Sequence, residues 1–223
     1  MAVPTGTEIN AAFEQYCEAI FELAEDDVGV IQARIAERLG VSRPAVSEMM
    51  RRLESEALVE TGARIALTER GMLLAESVVR RHRLAERMLT DILGLSWSEA
   101  HLEASKWERV LSPSVEAAIN RILGDPTTCP HGNPIPGSGY SAPETVQLAD
   151  MLEGRQFLIT RIPEELEFTA GLLEFLESAS MTPGHRGAIT AVSPDGTVTV
   201  VVEGKHVGIG PFAARRIQVA QIG

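Results

Sequence analysis

Apolar residues recur at helical spacing through the first half of the chain and alternate with polar ones through the last third. The pattern alone therefore describes a mainly α protein with a small β part. Phe13, Tyr16, Ile20 and Leu23 fall three and four apart, which predicts an amphipathic helix over about residues 8–25, ended by the run AEDDVG. Ile35 and Leu39 mark a short helix over residues 31–39, and Gly40 suits the left-handed position that closes a helix. Ser42 is a good N-cap, and Pro44 fits the first turn of a second helix over residues 44–56 that turns Val46, Met50 and Leu53 inward. Two short helices joined by a tight Gly-containing turn make a helix-turn-helix. The stretch VETGARIALTERG, with a turn near Gly62 and Arg64, reads as a wing hairpin. Thr68 caps a long helix over residues 68–93, and two more helices follow over residues 96–110 and 112–123.

Residues 125–144 then hold five Pro and three Gly, a boundary or linker signature. Beyond residue 145, RQFLITRI is strand-like, residues 163–178 read as helical, and the rest alternates around a Pro-Asp-Gly turn. Several short strands with turns between them suggest a small β-barrel. No internal repeat is apparent.

Composition narrows the class. Of 223 residues, 44 % are hydrophobic and 23 % charged, which suits a globular protein. No apolar run reaches the length of about 18 residues needed to span a membrane, and the opening MAVPTGTEIN lacks the basic-then-apolar pattern of a secretion signal. A cytoplasmic location is expected. The only cysteines, Cys17 and Cys129, are far apart and indicate no disulfide framework. The net charge of −11 argues against DNA binding until its distribution is considered. Residues 31–87 carry eleven Arg, no Lys and eight acidic residues, a net +3, so the remainder carries −14. A locally basic segment neutralises phosphates while the rest of the chain discourages promiscuous binding.

In a winged helix-turn-helix the second helix enters the major groove with its N-terminal residues on base edges. Those residues are Ser42, Arg43, Pro44, Ala45, Ser47 and Glu48. Arg43 is placed for a guanine or a phosphate, Ser42 and Ser47 for either, and Ala45 for a thymine methyl. Arg51 and Arg52, one turn on, are candidates for the backbone, as are Gln32, Arg34 and the wing residue Arg64. The competing reading is a winged helix used only for protein contacts.

His82 and Glu86 lie one turn apart on one helix face, and His101 sits on the next long helix with Ser105 and Glu108 four and seven residues on. If these helices pack antiparallel, His82, Glu86 and His101 converge. Two imidazoles and a carboxylate suit Mn, Fe, Co, Ni or Zn. By spacing alone, a His-x-x-x-Glu pair on an Arg-rich helix equally describes a surface ion pair.

The stretches ARIAERLGVSRPAVSEMMRRLESEALV, VRRHRLAERMLTDILGL, HLEASKWERVLS and PHGNPIPG resemble the diphtheria toxin repressor family of iron- and manganese-dependent repressors, over about residues 13–137 and more loosely through the tail. The resemblance implies a winged helix-turn-helix over residues 1–72, a helical dimerisation and metal-binding domain over 73–140, and an SH3-like β-barrel over 145–223. It implies an ancillary metal site of His82, Glu86 and His101, with Glu167 or Glu164 supplied by the β-rich part. It places a primary site at Gln15, Glu18, Ser105, Glu108 and Arg109, where only Glu108 is a clear match. Ser105 stands where relatives have Cys or Glu, and Arg109 where they have His. Arg cannot give up its proton to ligate a metal. Either that site is absent, with Arg109 paired to Glu108 or Glu18 in place of the ion, or Arg109 swings away from a weak oxygen site of Gln15, Glu18 and Glu108. With no thiolate there, Mn(II) is preferred and Fe(II) stays open.

The remaining singular residues have plainer readings. Cys129 and His131 in CPHGNP suggest zinc, but two ligands two apart do not make a site and they read as a structural loop; Trp97 and Trp107 read as packing near a dimer interface, and His185 and His206 as surface residues. The expectation is a non-enzymatic, homodimeric repressor of metal-transport genes, switched by Mn(II) or Fe(II) on a palindromic operator. The alternatives are a regulator of the same architecture without a metal switch, a zinc hydrolase for which no base-and-cleft motif exists, and a β-barrel adaptor role that coexists with the first.

Overall fold

The computed structural model describes residues 11–222, so the Glu8–Asn10 start of the expected first helix lies outside the described residues. The chain divides into two compact units, Met1–Val79 and Arg80–Gly223.

In the first unit, α1 (Ala11–Glu25) buries Tyr16, Ile20 and Leu23, the stripe expected from their spacing, together with Cys17. The short α2 (Gln32–Leu39) ends at Gly40, whose φ of 64° is the left-handed conformation that glycine adopts without a Cβ clash. α3 (Arg43–Ser55) starts under its Ser42 cap, whose hydroxyl oxygen accepts from the Ala45 N–H at 3.3 Å. It buries Val46, Met50 and Leu53 against α1 and Ile35 of α2. A buried pair, Arg38 Nη1 at 3.6 Å from Glu22 Oε2, also ties α2 to α1. The wing is the hairpin of β1 (Val59–Thr61) and β2 (Ile65–Leu67), antiparallel with Glu60 opposite Ala66. The Thr68 hydroxyl accepts from Gly71 N at 3.1 Å and opens α4 (Glu69–Arg87).

α4 runs into a π-helical turn, Met88–Ile92, where the expected helix was continuous. α5 (Trp97–Trp107) has a capping box in which Ser96 and Glu99 satisfy each other's backbone N–H. α6 (Pro113–Ile122) is capped by Ser112. Then come β3 (Val146–Gln147), a 3-10 turn (Leu148–Asp150) and β4 (Gln156–Arg161). The single helix expected over 163–178 is two, α7 (Glu164–Glu167) and α8 (Leu172–Ser178), separated at Gly171. The last strands are β5 (Arg186–Val192), β6 (Val198–Val202) and β7 (Lys205–Ile209), then α9 (Pro211–Ala214) and β8 (Gln218–Ile222).

The sheet order is β3-β8-β4-β5-β6-β7, every neighbouring pair antiparallel, with irregular register at Ile159/Arg161 and Ile189/Ala191. Its inner residues, among them Phe157, Ile159, Val200 and Val219, share one core with Leu173 and Leu176 of α8 and with Trp97 of α5. Trp97 therefore packs under the sheet, whereas Trp107 lies beside Ala85, Leu89, Ala100 and Ala104 between the helices. The Pro/Gly-rich stretch expected to be a linker is instead packed inside the second unit at Cys129, His131, Asn133 and Ile135.

Gly71 leaves no room for a side chain, since a Cβ there would lie 1.9 Å from the Leu58 carbonyl oxygen. Gly71→Ala must push α4 off the end of α3, and is expected to lower stability by about 1–3 kcal/mol in urea unfolding. An unchanged midpoint would show that the contact is not close-packed.

Candidate functional site

Four segments of the second unit deliver ligand-type side chains to one buried place. α4 brings His82 and Glu86, α5 brings His101, the 125–137 loop brings Cys129 and His131, and α7 brings Glu164 and Glu167. The loop is folded tightly enough to present its two residues inward. Cys129 N donates to Asn133 O at 2.9 Å and Gly132 N to Cys129 O at 3.0 Å. Gly132 has φ +85°, and a Cβ on it would lie 2.2 Å from Thr160 O.

One carboxylate oxygen is the meeting point. Glu86 Oε1 stands 3.2 Å from His82 Nε2, 3.1 Å from His101 Nδ1 and 3.6 Å from His131 Nδ1. Glu167 Oε2 is 3.1 Å from both His101 Nδ1 and His131 Nδ1. Donors held about 2.0–2.2 Å from a common ion stand about 3–3.5 Å from one another, so these separations fit ligands around a cation. His131 Nε2 is buried and has no hydrogen-bond partner among the described residues. Its ring meets Trp97 edge-on at 4.4 Å between centroids.

An outer layer orients these ligands. Glu108 Oε2 pairs with His82 Nδ1 at 2.6 Å, leaving Nε2 toward Glu86. Asn133 Nδ2 donates to Glu167 Oε1 at 2.9 Å, and Arg161 Nε donates to Asn133 Oδ1 at 2.6 Å. Arg83 Nη2 reaches Glu164 Oε2 at 3.2 Å. Carboxylate partners on the far nitrogen of a ligating His are a recurrent means of fixing its orientation.

The electrostatics show what the side chains do without a cation. Burial opposes the imidazolium of His101, but its hydrogen bonds to the Glu167 and Glu86 carboxylates overcome it and raise its pKa to about 10. His82 and His131 are likewise held well above the ordinary imidazole range against burial, by Glu86 and Glu108 in one case and by Glu167 and Glu86 in the other. Burial works against the Glu86 and Glu167 carboxylates, yet the histidine charges hold both below the ordinary range. Glu164 goes the other way, because burial and the Glu167 charge outweigh Arg83. Protons on the imidazoles thus balance the buried carboxylates, and a metal ion bound there would have to displace them.

Of the residues expected as ligands, His82, Glu86, His101, Glu108, Glu164 and Glu167 come together. Ser105 does not: its hydroxyl donates to His101 O at 3.2 Å. Gln15 and Glu18 stand on α1 of the first unit. Arg109 lies half-exposed, its Nε 3.5 Å from Glu108 Oε1. Sequence reasoning set Cys129 and His131 aside as a structural loop; the structure brings both into the buried cluster, with the Cys129 thiol 3.8 Å from His131 Nδ1. The expectation of no thiolate concerned the Ser105 position; in the buried cluster Cys129 stands as a thiol whose pKa burial raises. The signal was the Cys-Pro-His-Gly run itself, whose fold depends on a left-handed glycine and on contacts distant in sequence.

In the first unit, α3 presents Arg43, Pro44, Ala45, Glu48 and Arg51 to solvent, with Ser47 half-buried. Ser42 is used as the cap. Arg52 is drawn aside, its guanidinium 5.2 Å from the Phe13 ring centre. Arg34 on α2 and Arg64 at the wing tip are exposed, and Gln32 is half-buried.

Comparison with known proteins agrees with both halves of this description. Residues 8–67 match the family of the iron dependent repressor N-terminal DNA binding domain, and residues 68–137 that of the iron dependent repressor metal binding and dimerisation domain. The iron-dependent repressor IdeR of Mycobacterium tuberculosis is 37% identical, covering 94% of this chain and 96% of its own. The diphtheria toxin repressor of Corynebacterium diphtheriae is 35% identical over the same shares. Among solved structures, a manganese-dependent transcriptional repressor in complex with manganese superposes with a TM-score of 0.83 at 31% identity, over 94% of this chain and 100% of that one.

Two outcomes are expected. With chelator present, His101 has its folded pKa raised above the unfolded value of about 6.5, so its contribution to stability is complete below that value. It is lost as pH rises through about 10. Urea unfolding of the metal-free chain between pH 6 and 10 should show stability falling; a rise over that window contradicts a protonated cluster. Gly132→Ala should displace His131 and weaken metal binding by roughly tenfold or more, as measured by competition with a chromogenic chelator, and unchanged affinity would place His131 outside the centre.

Proposed function

The chain belongs to the iron-dependent repressor family, the family of the diphtheria toxin repressor, and from that premise we propose that it represses metal-transport genes from a palindromic operator in response to Mn(II) or Fe(II). It is a metal-responsive, DNA-binding regulator of transcription. The observation that carries the metal reading is the convergence of three imidazole nitrogens within 3.1–3.6 Å of Glu86 Oε1 in the part matching the metal-binding domain.

In this reading the ion's ligands come from among His82, Glu86, His101, Cys129, His131, Glu164 and Glu167, and Glu108, Asn133 and Arg83 orient them. A divalent cation supplies there the positive charge that the protonated imidazoles supply without it. The mixed nitrogen, oxygen and sulfur donors suit Fe(II) as well as Mn(II), so both are effector candidates. Arg109 beside Glu108 supports the reading in which an arginine takes the place of an ion at the altered second position. The recognition helix acts through Arg43, Pro44, Ala45, Ser47 and Glu48 behind the Ser42 cap, with Arg51 on the backbone. Gln32, Arg34 and Arg64 add phosphate contacts. We assign residues 1–72 to DNA binding, 73–140 to dimerisation and metal, and 145–223 to a sheet domain that completes the ligand set. The protein acts as a cytoplasmic homodimer on two half-sites.

An operator selected from random-sequence DNA tests this. Mn(II) or Fe(II) should raise affinity by roughly 100-fold over chelator, within the usual range of allosteric coupling. The selected sites should be palindromic, and Arg43→Ala should cost about 1–3 kcal/mol at one base position. Equal affinity with and without metal would sink the switch while leaving DNA binding standing.

A further inference from the structure

We propose that Glu48 reads a cytosine, its carboxylate accepting from the N4 amino group in the major groove and so setting one base of each operator half-site. The proposal rests on the reading of α3 as the recognition helix, and adds the base that this helix selects and the residue that rejects the others.

Glu48 stands on the outermost line of α3. It lies two residues from Val46 and two from Met50, which are 0 % and 2 % exposed in the core. Two residues carry a helix through roughly 200°, so Glu48 projects away from the packed face and is exposed. Pro44, four residues before it, and Arg51, three after it, are exposed along the same line. Among the described residues the Glu48 carboxylate makes no hydrogen bond or ion pair. The other acidic side chain of the helix, Glu54, is used within the fold, where its Oε1 accepts from the Thr61 backbone N–H at 3.2 Å and from the Thr61 hydroxyl. Arg52, one turn on from Glu48, lies instead over the Phe13 ring, 5.2 Å from its centre. The fold thus leaves one carboxylate without a partner on the face that presents Arg43, Pro44, Ala45 and Arg51.

An anion on that face is costly unless a donor meets it. The phosphates repel it, and water stripped from it is not replaced by groups that only accept. In the major groove guanine presents N7 and O6, and thymine presents O4 and a methyl group, none of which donates. Adenine offers its N6 amino group beside the N7 acceptor, which repels the second carboxylate oxygen. Cytosine offers its N4 amino group with no acceptor on its own edge. A carboxylate accepts and cannot donate, so cytosine is the base that satisfies it. At any other base the same charge is a penalty, and discrimination comes from rejection as well as attraction. Glu48 therefore tightens binding where cytosine stands and loosens it elsewhere.

Selection from random-sequence DNA by the full chain, loaded with Mn(II) or Fe(II), tests this when wild type, E48A and E48Q are run side by side. Wild-type sites should carry cytosine at one position of each half-site, and its replacement by thymine should cost about tenfold in affinity. E48A should lose that preference to within about twofold while keeping the preferences at the other positions. It should also bind random-sequence DNA several-fold more tightly than wild type, because an anion has left the DNA-facing surface. E48Q should turn the same position to adenine, since an amide pairs with both N6 and N7. Both variants should keep the wild-type urea midpoint, as the side chain has no partner in the fold. A base other than cytosine at the position that responds to E48A overturns the assignment. So does an E48A chain with wild-type preferences throughout, one that loses affinity for every sequence alike, or a lowered midpoint in both variants. In each of these cases sequence-specific binding by the wild-type chain leaves the functional reading standing. A metal-loaded wild-type chain that selects no sequence over random DNA overturns that reading itself.

Discussion

The second unit is organised around a buried carboxylate that cannot stand alone. Glu86 is 1 % exposed, and an uncompensated anion at that depth costs several kcal/mol. Three imidazoles from three separate segments supply the compensation, at 3.2, 3.1 and 3.6 Å. Each histidine arrives on an element that must itself be placed: α4 for His82, α5 for His101, and the glycine-turned loop for His131. The requirement to neutralise one oxygen therefore fixes two helices and a loop together, and Glu167 adds α7 to the same set.

The sheet exists in the same core as the centre rather than beside it. Trp97 begins α5, joins the hydrophobic cluster of the sheet, and touches the ring of His131. The Trp97 N–H donates to the Glu177 carboxylate of α8, 3.2 Å from Oε2. On the far side of α7, Arg216 forks onto both oxygens of Glu165 at 2.6 and 3.0 Å, while Glu164 and Glu167 of the same short helix face inward. A four-residue helix has little stability of its own, so its inward carboxylates are held by the sheet-side contacts that clamp it. The β-rich part thereby fixes two carboxylates of the buried cluster.

Most of the architecture was legible because it is local. Ser42, Pro44 and Gly40 write the helix-turn-helix in capping chemistry, and the three-and-four spacing of Val46, Met50 and Leu53 writes its buried face. His82 and Glu86 were legible as a pair because four residues make one helical turn. Where reading failed, the determinant was distant in sequence. The Pro/Gly run looked like a linker because proline and glycine mark irregular backbone, but they do not say whether that backbone is buried. Asn133, Thr160 and Arg161 decide that, some 28 residues apart in the case of Arg161 and Asn133. The break at Gly171 is of the same kind, since the LLEFLES pattern was visible while the turn that separates it from Glu167 was not.

The same cluster makes protons and cations compete directly. In the absence of a cation, His82, His101 and His131 are each held protonated by the carboxylates that would otherwise share the ion with them. On the proposed metal reading, a cation at this cluster would enter by exchange with those protons. Exchange of this type favours ions whose ligand bonds outweigh the hydrogen bonds displaced, which disfavours weakly bound hard cations such as Mg(II), reluctant to dehydrate. The donor chemistry sharpens that preference, because imidazole and thiol donors favour transition metals over Mg(II), which prefers all-oxygen sites. On the proposed metal reading, the nitrogen content of the cluster would favour a transition metal over magnesium, and a Cys129 ligand would add a preference for softer members of the series.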